Sequence, residues 1–454
     1  MLVESKAAAT PAEVVTPYTP TEPQSYVMDV KEQSFEVPNP DSQPVSAKVP
    51  PISLEDDPNF EQEYALCGAF EKEAEEIIRL VQPRENQFEY RSSATNYLKK
   101  QITRSLNCPV LDLSFHELKC FLPDDPIKIT VVLSQSSIST WHKVVYDRLL
   151  IISEQDARSE VDSELEEEEE KHVHSIKTIR LVNESSIFKV IGMIDSIPFE
   201  VVANARVDLC MLAFFEEVNS LVGRDHLMKR SMLLIRSWWL YETGNISEKS
   251  PKEFLPDFAI WLMVTSIFNK YHNRITSPIQ ALYLFFYMFG VFDGNVQAIT
   301  LQGIRSFTDY SSNLVMWDEN QDLLIPPKLY EKYFQVVNIH NSSPIDKFGP
   351  RNVKVDRCGY TVVHPFNYTS LTLEKLSNRK SEKISSCFKT AMTSLSQLFQ
   401  AQAKPSPSTA HLKSLMRAVF PETLKKIGGQ NWRIDTFSSP QFGQMESFDL
   451  EMYV

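Results

Sequence analysis

Apolar residues recur at helical spacing from Asn59 onward. Two stripes are visible in succession, and Pro83 separates them. The first stripe consists of Leu66, Phe70, Ala74, Ile77 and Val81, and the second of Tyr90, Ala94, Tyr97, Leu98 and Ile102. The pattern predicts a pair of helices across residues 59–106.

Alternating and β-branched segments then predict strands at Cys108–Leu113 and Ile127–Leu133, followed by a helix that starts near Trp141. An acidic run from Glu154 to Glu170 follows, and its adjacent glutamates repel one another. We therefore expect a disordered, solvated loop over residues 154–172. Three more strands are predicted beyond it, at Ser175–Val182, Ile187–Met193 and Pro198–Val202.

Beyond Asp208 the periodicity is mainly helical. The predicted helices are Met211–Val222, His226–Tyr241, Asp257–Tyr271, Ile279–Phe289, Lys383–Phe399 and Thr409–Lys426. The chain is therefore expected to be an α+β protein. Its predicted parts are a tail (1–58), a helix pair packed on the helical domain (59–106), an α/β domain (107–205), a helical domain (206–430) and a C-terminal tail (431–454).

Composition changes this picture at the tails and the acidic run. The 454 residues are 43% hydrophobic with a net charge of −13. Residues 1–58 carry a net charge of −7 and ten of the 27 prolines, and residues 154–170 carry −9, which leaves +3 on the rest. We expect the tail to be disordered because so few apolar residues cannot offset the entropy of ordering it. Bulk charge favours neither presence nor absence of a nucleic-acid partner.

The sequence contains few signals for cellular targeting or for metal binding. None of the six cysteines forms a CxxC pair, so neither a zinc site nor a disulfide framework is predicted. No signal peptide follows Met1, and the apolar stretch Pro278–Phe292 is shorter than the ~20 residues of a membrane span. We expect a cytoplasmic or nuclear protein without a membrane association. The P-loop, nucleophile-elbow and HExxH motifs are absent from the sequence.

Two motifs give the chain a family resemblance. Residues 118–130, LKCFLPDDPIKIT, resemble the LKTYLPDGDIDLT stretch of plant nucleotidyltransferases with a PAP/OAS1 substrate-binding domain. Residues 223–238, GRDHLMKRSMLLIRSW, resemble their GKDHLFKRSIILIKAW helix. The resemblance extends over most of residues 60–430. It implies a polymerase-β-like nucleotidyltransferase domain with a mixed sheet, joined to a helical PAP/OAS1 domain, as in poly(A) polymerases.

The resemblance also implies a two-metal site, at which this chain departs from the family. Family members carry two Asp on one strand and a third carboxylate on a neighbouring strand, which together hold two metal ions. Aligned on the motif, these positions are Pro126, Lys128 and Glu200. Proline has no ligand atom, and the lysine ammonium repels Mg²⁺. Asp124 and Asp125 lie nearby, but we expect them in a solvated turn, with a register slip onto Asp125 as the alternative.

The positions that contact phosphate and base in the family also carry different residues in this chain. The family's Gly-Ser turn falls on Ser114 and Phe115, and its triphosphate-contacting Lys on Arg236. The helix-start Ser-Thr/Ser-Tyr falls on Pro256, Asp257 and Phe258, where Asp257 is also a good helix N-terminal residue. The Asp of the base-recognition loop falls on His364. No catalytic, cofactor-binding or metal-binding residue is therefore predicted.

Four further groups have an ordinary structural explanation that we favour over a binding role. A solvated helix face explains two basic clusters, Arg224/His226/Lys229/Arg230 and Lys99/Lys100/Arg104, for which RNA contact is the alternative. Buried core explains the aromatic residues Tyr283, Phe285, Phe286, Tyr287, Phe289 and Phe292. A flexible polar loop explains His172 and His174, for which loose metal binding is the alternative.

These observations predict a catalytically inactive nucleotidyltransferase-like protein. It would act as a scaffold or regulatory subunit in an RNA-processing or nucleotidyltransferase assembly, so a protein partner is expected. Two alternatives stay open. One is an active RNA nucleotidyltransferase, of the poly(A) or poly(U) polymerase type, that uses Glu200 in a rebuilt metal site. The other is an RNA-binding module that uses the cleft between the two domains.

Overall fold

The computed structural model describes residues 60–134, 138–162, 174–184, 187–243, 255–307, 322–338, 359–372, 378–402, 417 and 419–429. The predicted tails 1–58 and 431–454 lie outside these residues. So does most of the predicted acidic loop, residues 163–173.

A five-stranded mixed sheet forms the first half of the fold. Its strands are β1 (Val110–Asp112), β2 (Ile127–Val131), β3 (Ile176–Glu184), β4 (Ile187–Ile194) and β5 (Ile197–Ala203). They are arranged in the order β1-β2-β5-β4-β3, with β2 and β5 parallel and the other pairs antiparallel. The strands β2 and β5, which lie far apart in the chain, are thus side by side in the sheet.

Helices make up most of the remainder. The early ones are α1 (Phe60–Leu66), α2 (Glu71–Val81), α3 (Glu85–Leu106) and α4 (Trp141–Asp162). The later ones are α5 (Arg206–Val222), α6 (Leu227–Ser237), α7 (Asp257–Tyr271), α8 (Pro278–Gly290), α9 (Pro327–Asn338), α10 (Asn378–Gln402) and α11 (Pro421–Gly429). The α+β class and the mixed sheet are thus confirmed.

The helical core is centred on α7 and α8, whose side chains are almost all buried. The start of α8 is fixed by Ser277 and Gln280, which form a capping box, and by Pro278 at the first helical position. The predicted aromatic cluster on α8 lies in this core, where Phe285 and Phe286 are fully buried. The core explanation for these aromatic residues is therefore confirmed.

The two N-terminal helices pack on different parts of the protein. α2 contacts α6 and α8 of the helical part, whereas α3 contacts α4, β1 and β2. The buried residues Ala94, Leu98 and Ile102 of α3 belong to the core of the sheet. The expectation that both helices pack on the helical domain is therefore wrong for α3. Its apolar stripe is complementary to the sheet, which the stripe alone does not reveal.

One boundary and three elements differ from the sequence prediction. α4 continues to Asp162, so the acidic run does not interrupt it at Glu154 as expected. Of the predicted last helix, Thr409–Lys426, the start lies outside the described residues, and the described part includes α11. A hairpin of β6 (Gln297–Thr300) and β7 (Gly303–Ser306) and the helix α9 were not predicted. Within the described residues, no helix is long and apolar enough to cross a membrane.

Candidate functional site

The parallel pair β2–β5 brings two of the predicted site positions together. Lys128 and Glu200 are register partners on these neighbouring strands. The Lys128 ammonium lies 3.8 Å from an Asp257 carboxylate oxygen, and the Lys189 ammonium lies 3.2 Å from Glu200 Oε1. Pro126 comes directly before β2. Two protein cations, Lys128 and Lys189, therefore lie beside the carboxylates of Asp257 and Glu200.

Asp208, at the start of α5, belongs to the same group of charges, which no sequence pattern revealed. Burial raises the pKa of its carboxyl to about 6, Lys128 and Lys189 lower this pKa, and Glu200 raises it. The charges of these four residues are thus coupled. Their net charge is zero when both carboxylates are ionised.

The turn after β1 contains Ser114, and its hydroxyl is engaged by the backbone of β2. The hydroxyl accepts a hydrogen bond from the Lys128 N–H at 2.8 Å and donates one to the Lys128 carbonyl at 3.2 Å. The Ser114 N–H donates to Asp112 Oδ1 at 2.6 Å. The polar groups of this residue therefore hold the turn against the sheet.

Phe115 places a buried aromatic ring between the sheet and the helical domain. The ring stacks on Trp261 with a centroid distance of 5.3 Å and an interplanar angle of 7°. It also contacts Phe258, at 5.5 Å. The Arg236 guanidinium lies 4.7 Å from the ring centroid, within cation–π range. Phe115 and Phe258 are both predicted site positions, and they pack against each other.

Arg236 is the centre of a buried ion network. Its Nη2 donates to both carboxylate oxygens of Asp125 and to Asp257 Oδ1, each at 2.9 Å, and its Nη1 donates to the Cys120 carbonyl at 3.2 Å. Burial would lower the pKa of Arg236, but the two carboxylates outweigh burial and raise it. The Arg236 guanidinium is thus paired within the protein.

The role of Asp125 corrects the sequence prediction. A solvated turn was expected for Asp124 and Asp125, yet Asp125 is only 2% exposed. Its Oδ2 also accepts a hydrogen bond from the Leu122 N–H, and Arg91 holds the same turn through the carbonyls of Asp125 and Pro123. Asp124 is partly exposed and lies 2.7 Å from the Lys426 ammonium. Burial of Asp125 is tolerated because Arg236, from another domain, supplies the opposite charge.

Pro256 and Asp257 begin α7, as expected. Pro256 is in the extended conformation before the first turn, and Asp257 is the first helical residue. An Asp here is favourable toward the helix dipole. Its two oxygens also link Arg236 and Lys128. The carboxylate therefore connects the helical domain to the sheet.

His364 is buried, at 3% exposed, in a turn of the helical part. Its Nδ1 accepts hydrogen bonds from the N–H groups of Phe366 and Asn367, at 3.1 and 3.3 Å. Burial lowers the pKa of the ring to about 3, so the imidazole is neutral at pH 7. It shapes the turn rather than lying at its surface.

This burial makes the stability of the wild-type protein depend on pH. The folded protein disfavours the protonated His364 ring, whereas the unfolded chain takes up a proton near pH 6.5. Stability is therefore lost as pH falls below 6.5, at up to about 1.4 kcal/mol per pH unit from this residue. We expect His364→Asn to flatten the curve between pH 6.5 and 4.5 in urea unfolding. Equal slopes for the two proteins would contradict this assignment.

The other predicted groups lie apart from this site. Lys229 is fully buried and lies 2.7 Å from Glu216, and Arg230 pairs with Glu75, so the expected solvated face is wrong for these two residues. Arg224 of the same cluster is exposed, as expected. Lys100 and Arg104 are exposed on α3, as a solvated face requires. His172 lies outside the described residues.

His174 is not part of a flexible polar loop, contrary to expectation. Its ring is buried and fully hydrogen-bonded, with Ser93 Oγ at 2.8 Å from Nε2 and Asp195 Oδ2 at 2.8 Å from Nδ1. Tyr90 donates a further hydrogen bond to the same carboxylate oxygen at 2.6 Å. The ring therefore joins α3 to the turn between β4 and β5.

Comparison with known proteins defines the helical part. Residues 222–417 match the family model of the PAP/OAS1 substrate-binding domain. Residues 222–417 are thus similar to this substrate-binding domain. The helices α6 and α7, which contribute Arg236 and Asp257, lie within the matched residues. No curated protein matches the sequence.

Solved structures agree on the fold. The chain is similar to the Cid1 poly(U) polymerase in its MgGTP-bound structure and to Cid1 described as an RNA terminal uridylyl transferase. Each comparison has a TM-score of 0.50 at 12% identity and covers 78% of this chain and 98% of the other. The Mg 3′-dATP-bound structure gives the same TM-score and covers 99% of that chain. At this identity the similarity establishes the fold alone.

Proposed function

We propose that this protein is a catalytically inactive nucleotidyltransferase that acts as a scaffold or regulatory subunit in an RNA-processing or nucleotidyltransferase assembly. The observation that carries the proposal is the neutralisation of the site by the protein's own side chains. Lys128 stands where a metal-binding Asp is expected, and it lies beside Asp257 and opposite Glu200. A bound Mg²⁺ at this position would be repelled by the ammonium group.

Two further contacts support the proposal. The Phe115 ring occupies the turn that would present backbone N–H groups to a nucleotide, where a Gly-Ser pair is expected. The Arg236 guanidinium is already bonded to Asp125 and Asp257. A triphosphate would have to displace two carboxylates from a buried arginine, and two uncompensated carboxylates would then face the phosphates. The residues at the metal, phosphate and nucleotide positions thus each disfavour catalysis, and each does so for a different physical reason.

A primer-extension assay tests the loss of catalysis. The purified full chain is incubated with a short RNA, all four NTPs, and Mg²⁺ or Mn²⁺, beside an active poly(U) polymerase as positive control. We expect no extension because the metal position carries Lys128. Extension that disappears in Glu200→Ala would overturn the proposal and favour the active enzyme with a rebuilt metal site.

The scaffold role needs a second measurement, because an inactive protein need not bind a partner. The tagged full chain is purified from its own cells with and without nuclease treatment, and bound proteins are identified by mass spectrometry. Nuclease-resistant recovery of RNA-processing or nucleotidyltransferase proteins supports the scaffold. Recovery lost with the RNA favours the RNA-binding module, and a lone monomer in both samples contradicts the scaffold.

A further inference from the structure

A second cluster of ligand-type side chains lies at the end of β1, on either side of Ser114 and Phe115 in the sequence. Asp112 is the last residue of β1, and His116 and Glu117 follow in the adjoining turn. One ligand atom from each residue lies within 4.8 Å of the other two. Asp112 and His116 are buried, whereas the Glu117 side chain is 41% exposed. The cluster is therefore a pocket of donors with one side toward solvent.

The two separations from the His116 ring nitrogen match those around a small divalent cation. His116 Nε2 lies 3.3 Å from Asp112 Oδ2 and 3.6 Å from Glu117 Oε1. A tetrahedral ion with bonds of about 2.0–2.2 Å separates its ligand atoms by about 3.3–3.6 Å. One imidazole and two carboxylates are also a donor set that Zn²⁺ accepts.

Asp112 Oδ2 provides independent support for a ligand. The residue is 8% exposed, and this oxygen accepts no hydrogen bond although His116 Nε2 lies 3.3 Å away, whereas Oδ1 accepts the Ser114 N–H at 2.6 Å. The Ser114 contact fixes the orientation of the carboxylate, as the outer contacts of metal-binding carboxylates do. A buried carboxylate oxygen without a donor is costly unless a cation compensates it.

The His174–Asp195 pair shows what a buried histidine–carboxylate contact looks like when it is complete. There both ring nitrogens and the carboxylate have partners at 2.8 Å or less from Ser93, Asp195 and Tyr90. In the Asp112 cluster, by contrast, the His116 ring lies farther from two carboxylates, and Asp112 Oδ2 accepts no hydrogen bond. A metal ion bound between these groups would supply the partner that Asp112 Oδ2 lacks.

We propose that Asp112, His116 and Glu117 form a binding site for a divalent cation of the Zn²⁺ class, with water in the fourth position. The ion would be held by His116 Nε2, Asp112 Oδ2 and Glu117 Oε1. It would fasten the turn that contains Ser114 and Phe115 to the end of β1. The site was not predicted from the sequence because one strand end and one turn supply its ligands, without the spacing of a zinc motif.

Zinc titration of the full, untagged chain after EDTA dialysis tests the site. We expect saturable binding by isothermal calorimetry, and a visible absorption band when Co²⁺ replaces Zn²⁺. Glu117→Gln and Asp112→Asn should each raise the Kd for one equivalent of Zn²⁺ by at least about 10-fold. The half-exposed position of Glu117 keeps the test valid if Asp112→Asn fails to fold.

Asp195→Asn is the matched control, because it also removes a carboxylate from a buried histidine. It should leave the titration and the Co²⁺ band unchanged, with folding of all variants checked by circular dichroism. Zinc binding is compared between the wild type and each variant. Weak binding by the acidic run 154–170 is common to both and cancels in the difference. Equal zinc binding in wild type and Glu117→Gln, or no saturable binding in wild type, would mean that the cluster is only a histidine–carboxylate contact.

Discussion

Replacing Arg236 with Met is expected to lower the free energy of unfolding by about 3–5 kcal/mol. Arg236 is 2% exposed, and it is the cation that bonds both Asp125 and Asp257. Methionine fills a similar volume but leaves two buried carboxylates close to each other without their shared partner. Urea unfolding followed by tryptophan fluorescence at constant pH measures the loss.

Lys425→Met is the control for this change. Lys425 pairs with Glu422 on α11, but both side chains are largely exposed. Exposed pairs of this kind contribute little to stability because water and salt screen them. If Arg236→Met cost no more than Lys425→Met, the buried network would not be what joins the two halves of the fold at this site. A triple variant with Asp125→Asn and Asp257→Asn should recover much of the loss, because it removes the unpaired charges.

Replacing Phe115 with Ala is expected to cost about 3–5 kcal/mol, the usual range for a buried phenylalanine. The ring is 3% exposed, stacks on Trp261 and lies under the Arg236 guanidinium. Truncation would leave a cavity where the sheet meets the helical domain, and the rigid Trp261 can close it only in part. Thermal and urea unfolding measure the effect.

An exposed apolar residue provides the comparison for Phe115. Ile187 is 58% exposed at the start of β4, so Ile187→Ala should change stability by no more than about 0.5 kcal/mol. A small loss in Phe115→Ala, similar to that in Ile187→Ala, would indicate that the turn is loosely packed. The turn would then be open to a nucleotide, and the proposed loss of catalysis would be weakened.

The order of the elements was largely determined by local patterns in the sequence. Alternation in 127–133 and 187–202 gave the strands of the sheet, because a half-buried strand must alternate its side chains between two faces. Dense apolar residues on α7 and α8 gave the buried helices. The motifs at 118–130 and 223–238 gave the fold and the PAP/OAS1 domain.

Packing partners were decided only by the tertiary structure. The stripe on α3 indicates one buried face, but the choice between sheet and helical domain depends on which surface is complementary to it. His174 follows an acidic run, which predicts a flexible polar loop, yet Ser93 and Asp195, from distant segments, form hydrogen bonds with its ring. Sequence spacing carries no information on such contacts.

The pairing of charges in the candidate site was also decided only by the tertiary structure. The sequence identified Lys128, Glu200, Arg236 and Asp257 as positions of interest because they depart from a known motif. Only the parallel pairing of β2 with β5, and the position of α7 against the sheet, brought their charges within contact distance. The sequence by itself thus determined which groups are present. The tertiary structure decided that they neutralise one another, because charge pairing depends on distances between segments that lie far apart in the chain.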